Sequence, residues 1–359
     1  MRVAMISRAS LFEVPGGDTV QIQETASALL KLGTQVDILL ASEKINYQNY
    51  DLLHFFNVIR PNGILPHVKA ANKPFVVSTI FVDYTEVEEK LNGWKLKLLL
   101  KVFGSDCVEY IKTIGRSIIN NESLLDWGYL FRGHKKSVEK ALNQASMLLP
   151  NSENEYKRLQ VRYSFKGIYR VIPNAVNSAF LEDKWEQLKR ANVVCVARIE
   201  PIKNQLNLIR ALKNSNIKLE LIGKPSPNHQ AYYEQCKAEA TANIEFLGQK
   251  TRDEVILKLA EAKVHILPSW FETTGLSSLE AGALGCAIVV TGRGDTKDYF
   301  KELAYYCDPD SPDSIREKIQ EALNSKLDSS LRNHIKEIFR WEITAKKTLA
   351  AYHEVLNNN

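Results

Sequence analysis

The sequence predicts an α/β protein built as two halves, each a parallel sheet covered by helices. Three observations carry this. Short apolar runs alternate with longer segments whose apolar residues recur at helical spacing. The rhythm lapses in the charged stretch Asp183–Arg190 and restarts at Val193. The chain has 359 residues, room for two domains at roughly 100–200 residues each.

Arg2–Ile6 reads as a buried strand. Asp18–Leu32 follows as a helix, with Ile22, Ala26, Leu29 and Leu30 at helical spacing, Asp18 or Thr19 as its cap and Gly33 as its stop. Gln35–Leu40, Leu52–Phe56 and Pro74–Thr79 are the next strands, and Ser146–Pro150 and Tyr169–Ile172 the last of that half. In the second half the strands fall at Val193–Ala197, Lys218–Ile222, Ile244–Leu247, Val264–Leu267 and Ala287–Thr291. Ile315–Leu323 is an amphipathic helix, and Leu331–Leu356 makes one or two helices around Trp341. Strands alternating with helices imply parallel pairing.

Hydrophobic residues make up 45% and charged residues 25% of the chain, which excludes a disordered protein. The net charge of +5 is too mild to argue for nucleic acid, and no nucleic-acid partner is expected. Leu91–Lys140 holds nine Lys/Arg against five Asp/Glu, most of that excess. The five cysteines are far apart and form no CxxC pair, so neither a disulfide framework nor a zinc site is indicated. The opening MRVAMISRAS reads as a first strand rather than a signal peptide, and no apolar run approaches a membrane span. A cytoplasmic protein, or one lying on a membrane face, is expected.

Pro268–Gly285 reads PSWFETTGLSSLEAGALG and follows a strand. Gly275 permits a tight turn, and Ser277–Leu284 has helical composition. A helix N-terminus presents unpaired N–H groups to a phosphate. Glu272 precedes that helix and Glu280 lies one turn inside it, so two carboxylates can flank one ligand and accept hydroxyls on either side of its phosphates. A nucleotide sugar has that layout. Spacing alone fits equally an ordinary βα loop with two solvated glutamates.

Glu272 and Glu280, within P-S-x-x-E-x-x-G-x-x-x-x-E-A, resemble the paired-glutamate motif of the retaining glycosyltransferases of family four, which have the GT-B fold of two facing Rossmann-like domains. The resemblance implies that Glu272 contacts donor-sugar hydroxyls, Glu280 binds the ribose, and the Gly275–Leu276 amides hold the diphosphate. VVCVARIEPIKNQ, residues 193–205, places Arg198 and Lys203 after a buried strand, as solvated cations or as charges facing a ligand crevice. It resembles the family's Arg/Lys pair, which neutralises the departing diphosphate. Gly16–Gly17 is similar to the family's Gly-Gly loop against the donor phosphates, though a plain turn reads the same. Pro150-Asn151-Ser152 and Ile172-Pro173-Asn174 resemble landmarks near the interdomain crevice. In the second, Ala175 stands where the family usually has Gly. Trp341, within Phe339–Ile343, resembles the family's C-terminal helix, which crosses back onto the first domain, though a lone Trp on a helix reads equally as core.

The implied domains are 1–185 with 340–359 on the acceptor side, and 186–339 for the nucleotide sugar. The implied activity is a retaining, metal-independent, hexosyltransferase-like transfer from a nucleotide-sugar co-substrate, with no cofactor, to a saccharide or lipid-linked acceptor, as in polysaccharide biosynthesis. The active site is expected in the cleft between domains. A catalytically altered nucleotide-sugar-binding protein of the same fold is the alternative. A dinucleotide oxidoreductase is excluded by the lack of G-x-G-x-x-G after a strand. Many family members carry a histidine after the strand at Pro74–Thr79, and here the chain reads Ile80-Phe81-Val82-Asp83-Tyr84. Asp83 is either an acceptor-side or donor-sugar contact or a solvated loop carboxylate. His54, in an apolar run, reads as a satisfied core residue. In the 91–140 stretch Trp94, Leu96, Leu98, Leu99, Leu100, Val102 and Phe103 interleave with Lys95, Lys97 and Lys101. That pattern fits a helix packed on its own domain or a peripheral membrane contact.

Overall fold

The computed structural model describes residues 1–82, 127–182, 190–326 and 328–358. The chain divides into two compact units, Met1–Asn174 with Trp341–Asn359, and Ala175–Arg340. Asp83, Cys107, most of the basic 91–140 stretch and the charged residues 183–189 lie outside the described residues.

Unit 1 runs β1 (Arg2–Ser7), α1 (Gly17–Lys31), β2 (Gln35–Leu40), β3 (Leu52–Phe56), α2 (Leu65–Ala71) and β4 (Phe75–Ser78). After the undescribed segment come α3 (Trp127–Arg132), α4 (His134–Gln144), β5 (Met147–Leu148) and α5 (Glu153–Arg162). The strands are parallel in the order β2-β1-β3-β4-β5. Val3, Ala4, Met5 and Ile6 are all buried, as a strand covered on both faces requires. α1 ends as expected. Gly33 sits at φ 82°, and the Thr34 N–H to Leu29 O and Gly33 N–H to Leu30 O bonds close a Schellman motif. Its start differs. Gly16 is the cap, and its N–H donates to Thr19 Oγ1 at 3.0 Å. Asp18 lies inside the first turn, where its carboxylate is held by Arg8 at 2.7 and 3.2 Å and accepts from Thr19 N–H at 2.9 Å.

Tyr169–Ile172 is not a regular strand. It makes a single bridge, Leu148 to Tyr169, flanked by Arg170 N–H to Leu148 O and Ile172 N–H to Pro150 O. Pro150 has no N–H for the intervening rung, so the ladder breaks there.

Unit 2 runs β6 (Asn192–Val196), α6 (Gln205–Leu212), β7 (Leu219–Ile222), α7 (Gln230–Glu239), β8 (Ile244–Gly248), α8 (Arg252–Glu261) and β9 (Ala262–Leu267). It continues with α9 (Leu276–Ala283), β10 (Ala287–Thr291), α10 (Thr296–Phe300), β11 (Tyr305–Cys307), α11 (Pro312–Asn324) and α12 (Ser330–Ile338). The six strands are parallel in the order β11-β10-β9-β6-β7-β8. The winding therefore starts at β6, runs outward to β8, then returns to β9 on the other side of β6 and runs outward to β11. The reversal between β6 and β9 is a topological switch point, where the loops after the two strands diverge and leave a crevice at their C-terminal ends.

The division at Asn174/Ala175 comes earlier than the expected boundary at 185. The segment after Asn174 is tied into unit 2. Val176 N–H donates to Phe339 O at 3.0 Å, and Arg332 Nη2 donates to the carbonyls of Leu181 and Glu182. The last helix, α13 (Trp341–Asn357), belongs to unit 1. It packs on α1, and its Thr344 hydroxyl donates to Pro173 O at 2.9 Å.

Among the described residues no helix is long and apolar enough to cross a membrane.

Candidate functional site

The site is built from the loops that leave β6 and β9 at the unit 2 switch point. After β6 the chain passes Arg198 and makes one 3-10 turn, Pro201–Lys203. Asn204 closes that turn at φ 59°. Its Nδ2 donates to Pro268 O at 3.1 Å and Pro309 O at 2.8 Å, and Trp270 N–H donates to Ile202 O at 2.9 Å. These bonds stitch the β6 loop to the β9 loop.

The stitching brings Lys203 and Glu272 together. Lys203 Nζ lies 2.6 Å from Glu272 Oε2, although the two are 69 residues apart in sequence. Ser269 Oγ donates to the same oxygen at 3.0 Å. Among the described residues no hydrogen bond reaches Oε1 of Glu272, so one face of this buried carboxylate is left as an acceptor.

The Glu272 backbone is held by the loop after β10. Glu272 N–H donates to Arg293 O at 3.0 Å and Asp295 N–H to Glu272 O at 2.9 Å. Gly294 lies between, at φ 106°, so close that a Cβ there would sit 2.0 Å from Glu272 O.

Gly275, at φ 65°, caps α9, and its carbonyl accepts from Ser278 and Leu279 N–H at 2.8 and 2.9 Å. The N–H groups of Leu276 and Ser277 find no acceptor among the described residues. They are the unpaired first-turn donors that suit an anion. Glu280 stands partly exposed in the same helix.

Arg198 shares the β6 loop with Lys203 but is paired elsewhere. Its Nη2 lies 3.3 Å from Glu200 Oε1, and Ser226 Oγ donates to the other oxygen of Glu200 at 2.7 Å. Gly223 supports this arrangement: a Cβ there would lie 2.0 Å from Ala197 O. Gly16 and Gly17 lie in unit 1 at the start of α1. Gly16 has an extended backbone, φ −145°, so its conformation does not demand glycine; a Cβ there would come within 3.0 Å of Asp18 Oδ1.

His54 is a satisfied core residue. Its Nδ1 pairs with Tyr352 OH at 2.7 Å and its Nε2 with Ser78 Oγ at 2.8 Å. Burial pushes it down to about 3. His265, in β9, is likewise lowered to about 3 by burial. Among the described residues no group of three or more His, Cys, Asp or Glu is placed to hold a metal ion. The sequence reading that the chain has no Asp-x-Asp is corrected by Asp308-Pro309-Asp310. Arg293 Nη2 holds both carboxylates, at 2.8 and 2.6 Å.

The sequence reading also missed Glu155, Ser269 and Gly294. Glu155 is fully buried and accepts from Thr79 Oγ1, from Phe81 N–H at 2.7 Å and from Asn151 N–H at 2.8 Å. It thereby fixes the chain leaving β4 and the Pro150–Asn151 turn. The Ser152-x-x-Glu155 spacing, a helix-start signature, was the available signal. Asn151 in turn accepts from Gln21 Nε2 at 2.9 Å.

Comparisons with known proteins bear on the fold and the class of enzyme. Residues 179–340, most of unit 2, match the family model described as Glycosyl transferases group 1. The chain is 22% identical over 198 residues to the MMP alpha-(1->4)-mannosyltransferase of Mycolicibacterium hassiacum, covering 52% of this chain and 48%, about half the length, of that protein. It is 21% identical over 370 residues to the N-acetylgalactosamine-N,N'-diacetylbacillosaminyl-diphospho-undecaprenol 4-alpha-N-acetylgalactosaminyltransferase of Campylobacter jejuni, covering 91% of this chain and 92% of that one. Among solved structures, the sucrose-phosphate synthase of Thermosynechococcus elongatus superimposes over 100% of both chains with a TM-score of 0.77 at 15% identity. The architecture is therefore GT-B, two Rossmann-like parallel-sheet units with the C-terminal helix returned to the first. These matches support a glycosyltransferase.

Proposed function

We propose that the chain transfers a sugar from a nucleotide-sugar donor to a saccharide or lipid-linked acceptor, with retention of anomeric configuration and without a metal ion. The observation that carries this reading is the Lys203–Glu272 pair at the β6/β9 switch point, beside the unpaired N–H groups at the start of α9. A cation and free helix amides suit a diphosphate. The open Oε1 of Glu272 suits a sugar hydroxyl. Glu280, further along α9, is assigned to the ribose, and Arg198 to the developing phosphate charge beside Lys203. The Campylobacter relative, whose name carries a diphospho-undecaprenol acceptor, is the support for a lipid-linked acceptor.

In this reading the bond from the anomeric carbon to the diphosphate oxygen breaks while Lys203 and the amides of Leu276 and Ser277 take up the charge. Preorganised donors of that kind each contribute about 10²–10³ in rate. The acceptor hydroxyl attacks the oxocarbenium-like carbon from the same face and passes its proton to the departing phosphate oxygen. The cations take the place of the divalent ion that other transferases use.

A thermal-shift screen with nucleoside diphosphates and nucleotide sugars identifies the donor, because a ligand of the folded state raises its stability. Transfer is then measured for Lys203→Ala and Glu272→Ala. Each is expected to lose at least about a hundredfold in kcat while melting cooperatively. Unchanged turnover in both would remove the site from consideration.

A further inference from the structure

Lys203 and Glu272 are not simply two ligands placed side by side. Each is the other's partner, at 2.6 Å, with side-chain exposures of 23% and 8%. In a pair this sheltered, stripping either partner of its counter-charge is costly. Lys203 and Ser269 both bond Oε2, and Oε1 is open.

The pyrophosphate of a donor competes with Glu272 for the Lys203 ammonium. We infer that this pair makes diphosphate binding conditional on the sugar, so that Glu272 discriminates against the spent nucleoside diphosphate. This rests on the reading of Lys203 as a diphosphate ligand and Glu272 as a sugar ligand.

The argument is a comparison of three states. With no ligand, the two charges satisfy one another. With an intact nucleotide sugar, Lys203 turns to the pyrophosphate, and a sugar hydroxyl on Oε1 together with Ser269 on Oε2 replaces the lost counter-charge. With a nucleoside diphosphate alone, no hydroxyl reaches Oε1. Glu272 is then a buried carboxylate without its cation, and it draws Lys203 back. The same carboxylate that grips the donor thus loosens the product once its sugar has gone.

The consequence has an unusual sign. Neutralising a residue assigned to donor binding should tighten the product. Binding of UDP, GDP, UDP-glucose and GDP-mannose is measured calorimetrically on the full chain, for wild type, Glu272→Gln and Lys203→Gln. In Glu272→Gln the diphosphate that wild type binds is expected to bind about tenfold more tightly, the effect of freeing one cation. The matching nucleotide sugar should gain nothing or weaken, so the preference for the intact donor collapses. Lys203→Gln should weaken both.

Glu272→Gln binding the diphosphate no more tightly than wild type overturns the inference while leaving the site intact. Lys203→Gln binding the diphosphate as wild type does overturns the underlying reading instead. Should Glu272→Gln fail to fold by circular dichroism, Glu272→Asp serves, because the shorter side chain draws the carboxylate away from Nζ. It should shift diphosphate affinity in the same direction, and an unshifted value has the same overturning force.

Discussion

Gly294→Ala tests whether the β10 loop positions Glu272. Two costs can be worked from the structure. Gly294 has φ 106°, a conformation that side chains rarely adopt, and forcing one there costs about 1–3 kcal/mol. The added Cβ would lie 2.0 Å from Glu272 O, where contacts below 3.0 Å do not persist. The two segments must separate by about 1 Å, which strains the Glu272 N–H to Arg293 O and Asp295 N–H to Glu272 O bonds, each contributing about 1 kcal/mol. The expected loss of unfolding free energy is about 2–4 kcal/mol. Displacing Glu272 by that distance also withdraws its carboxylate from Lys203, and a 1 Å misplacement costs about a hundredfold in rate. Urea denaturation and transfer kinetics are measured on the same preparation. Stability within about 0.5 kcal/mol of wild type, with kcat unchanged, would refute the clamp.

Three further outcomes follow from other parts of the chain. Gly223→Ala puts a Cβ 2.0 Å from Ala197 O, so it should cost about 2–4 kcal/mol and weaken diphosphate binding through the displaced Arg198 loop; normal melting would show that the loop yields freely. Glu155→Ala strips the acceptor from Thr79, Phe81 and Asn151 and should destabilise by about 3–5 kcal/mol, against which a loss under about 1 kcal/mol in urea melts would count. His54 and His265 are each lowered from 6.5 to about 3 by burial, so their contribution is complete above pH 6.5 and is lost as pH falls towards 3, because only the unfolded chain takes up protons there. At pH 5 each should withdraw about 2 kcal/mol, at about 1.4 kcal/mol per unit, and flat stability between pH 7 and 5 would contradict the buried neutral state of both rings.

The sheets were legible because parallel strands covered on both faces write themselves as apolar runs. Leu52–Phe56 and Ala287–Thr291 were read to the residue, and so was Gln35–Leu40, although it is an edge strand with no fully buried residue. β11 was not, since Tyr305–Cys307 is three residues at a sheet edge with both tyrosines only half buried. Tyr169–Ile172 has a strand's composition, and its failure to form one lies in a proline on the partner segment. Glu272 and Lys203 were singled out through the motifs they sit in, but their direct pairing was not, because it depends on β9 lying beside β6. The same holds for Gly294. The Gly292-x-Gly294 spacing after a strand was visible, whereas the carbonyl it must clear belongs to the neighbouring strand's loop.

Both units obey the same winding rule, and the cations just past the two reversals are held differently. In unit 1 the reversal lies between β1 and β3, and the cation just past β1 is Arg8. Its Nε and Nη2 hold Asp18, its Nη1 holds Ser10 through both carbonyl and hydroxyl, and its Nη2 also holds Val14 O. A guanidinium has five N–H donors, and these five bonds occupy them, so turning Arg8 to a ligand would break an entire loop. Lys203, past β6 in unit 2, has three donors and gives up one bond, to Glu272, when it moves. A flexible four-carbon stem with a single partner among the described residues is better suited than a fully bonded guanidinium to the proposed exchange with a diphosphate. The distribution of bonds around these two side chains, rather than their charge, is what favours Lys203 over Arg8 in the proposed phosphate role.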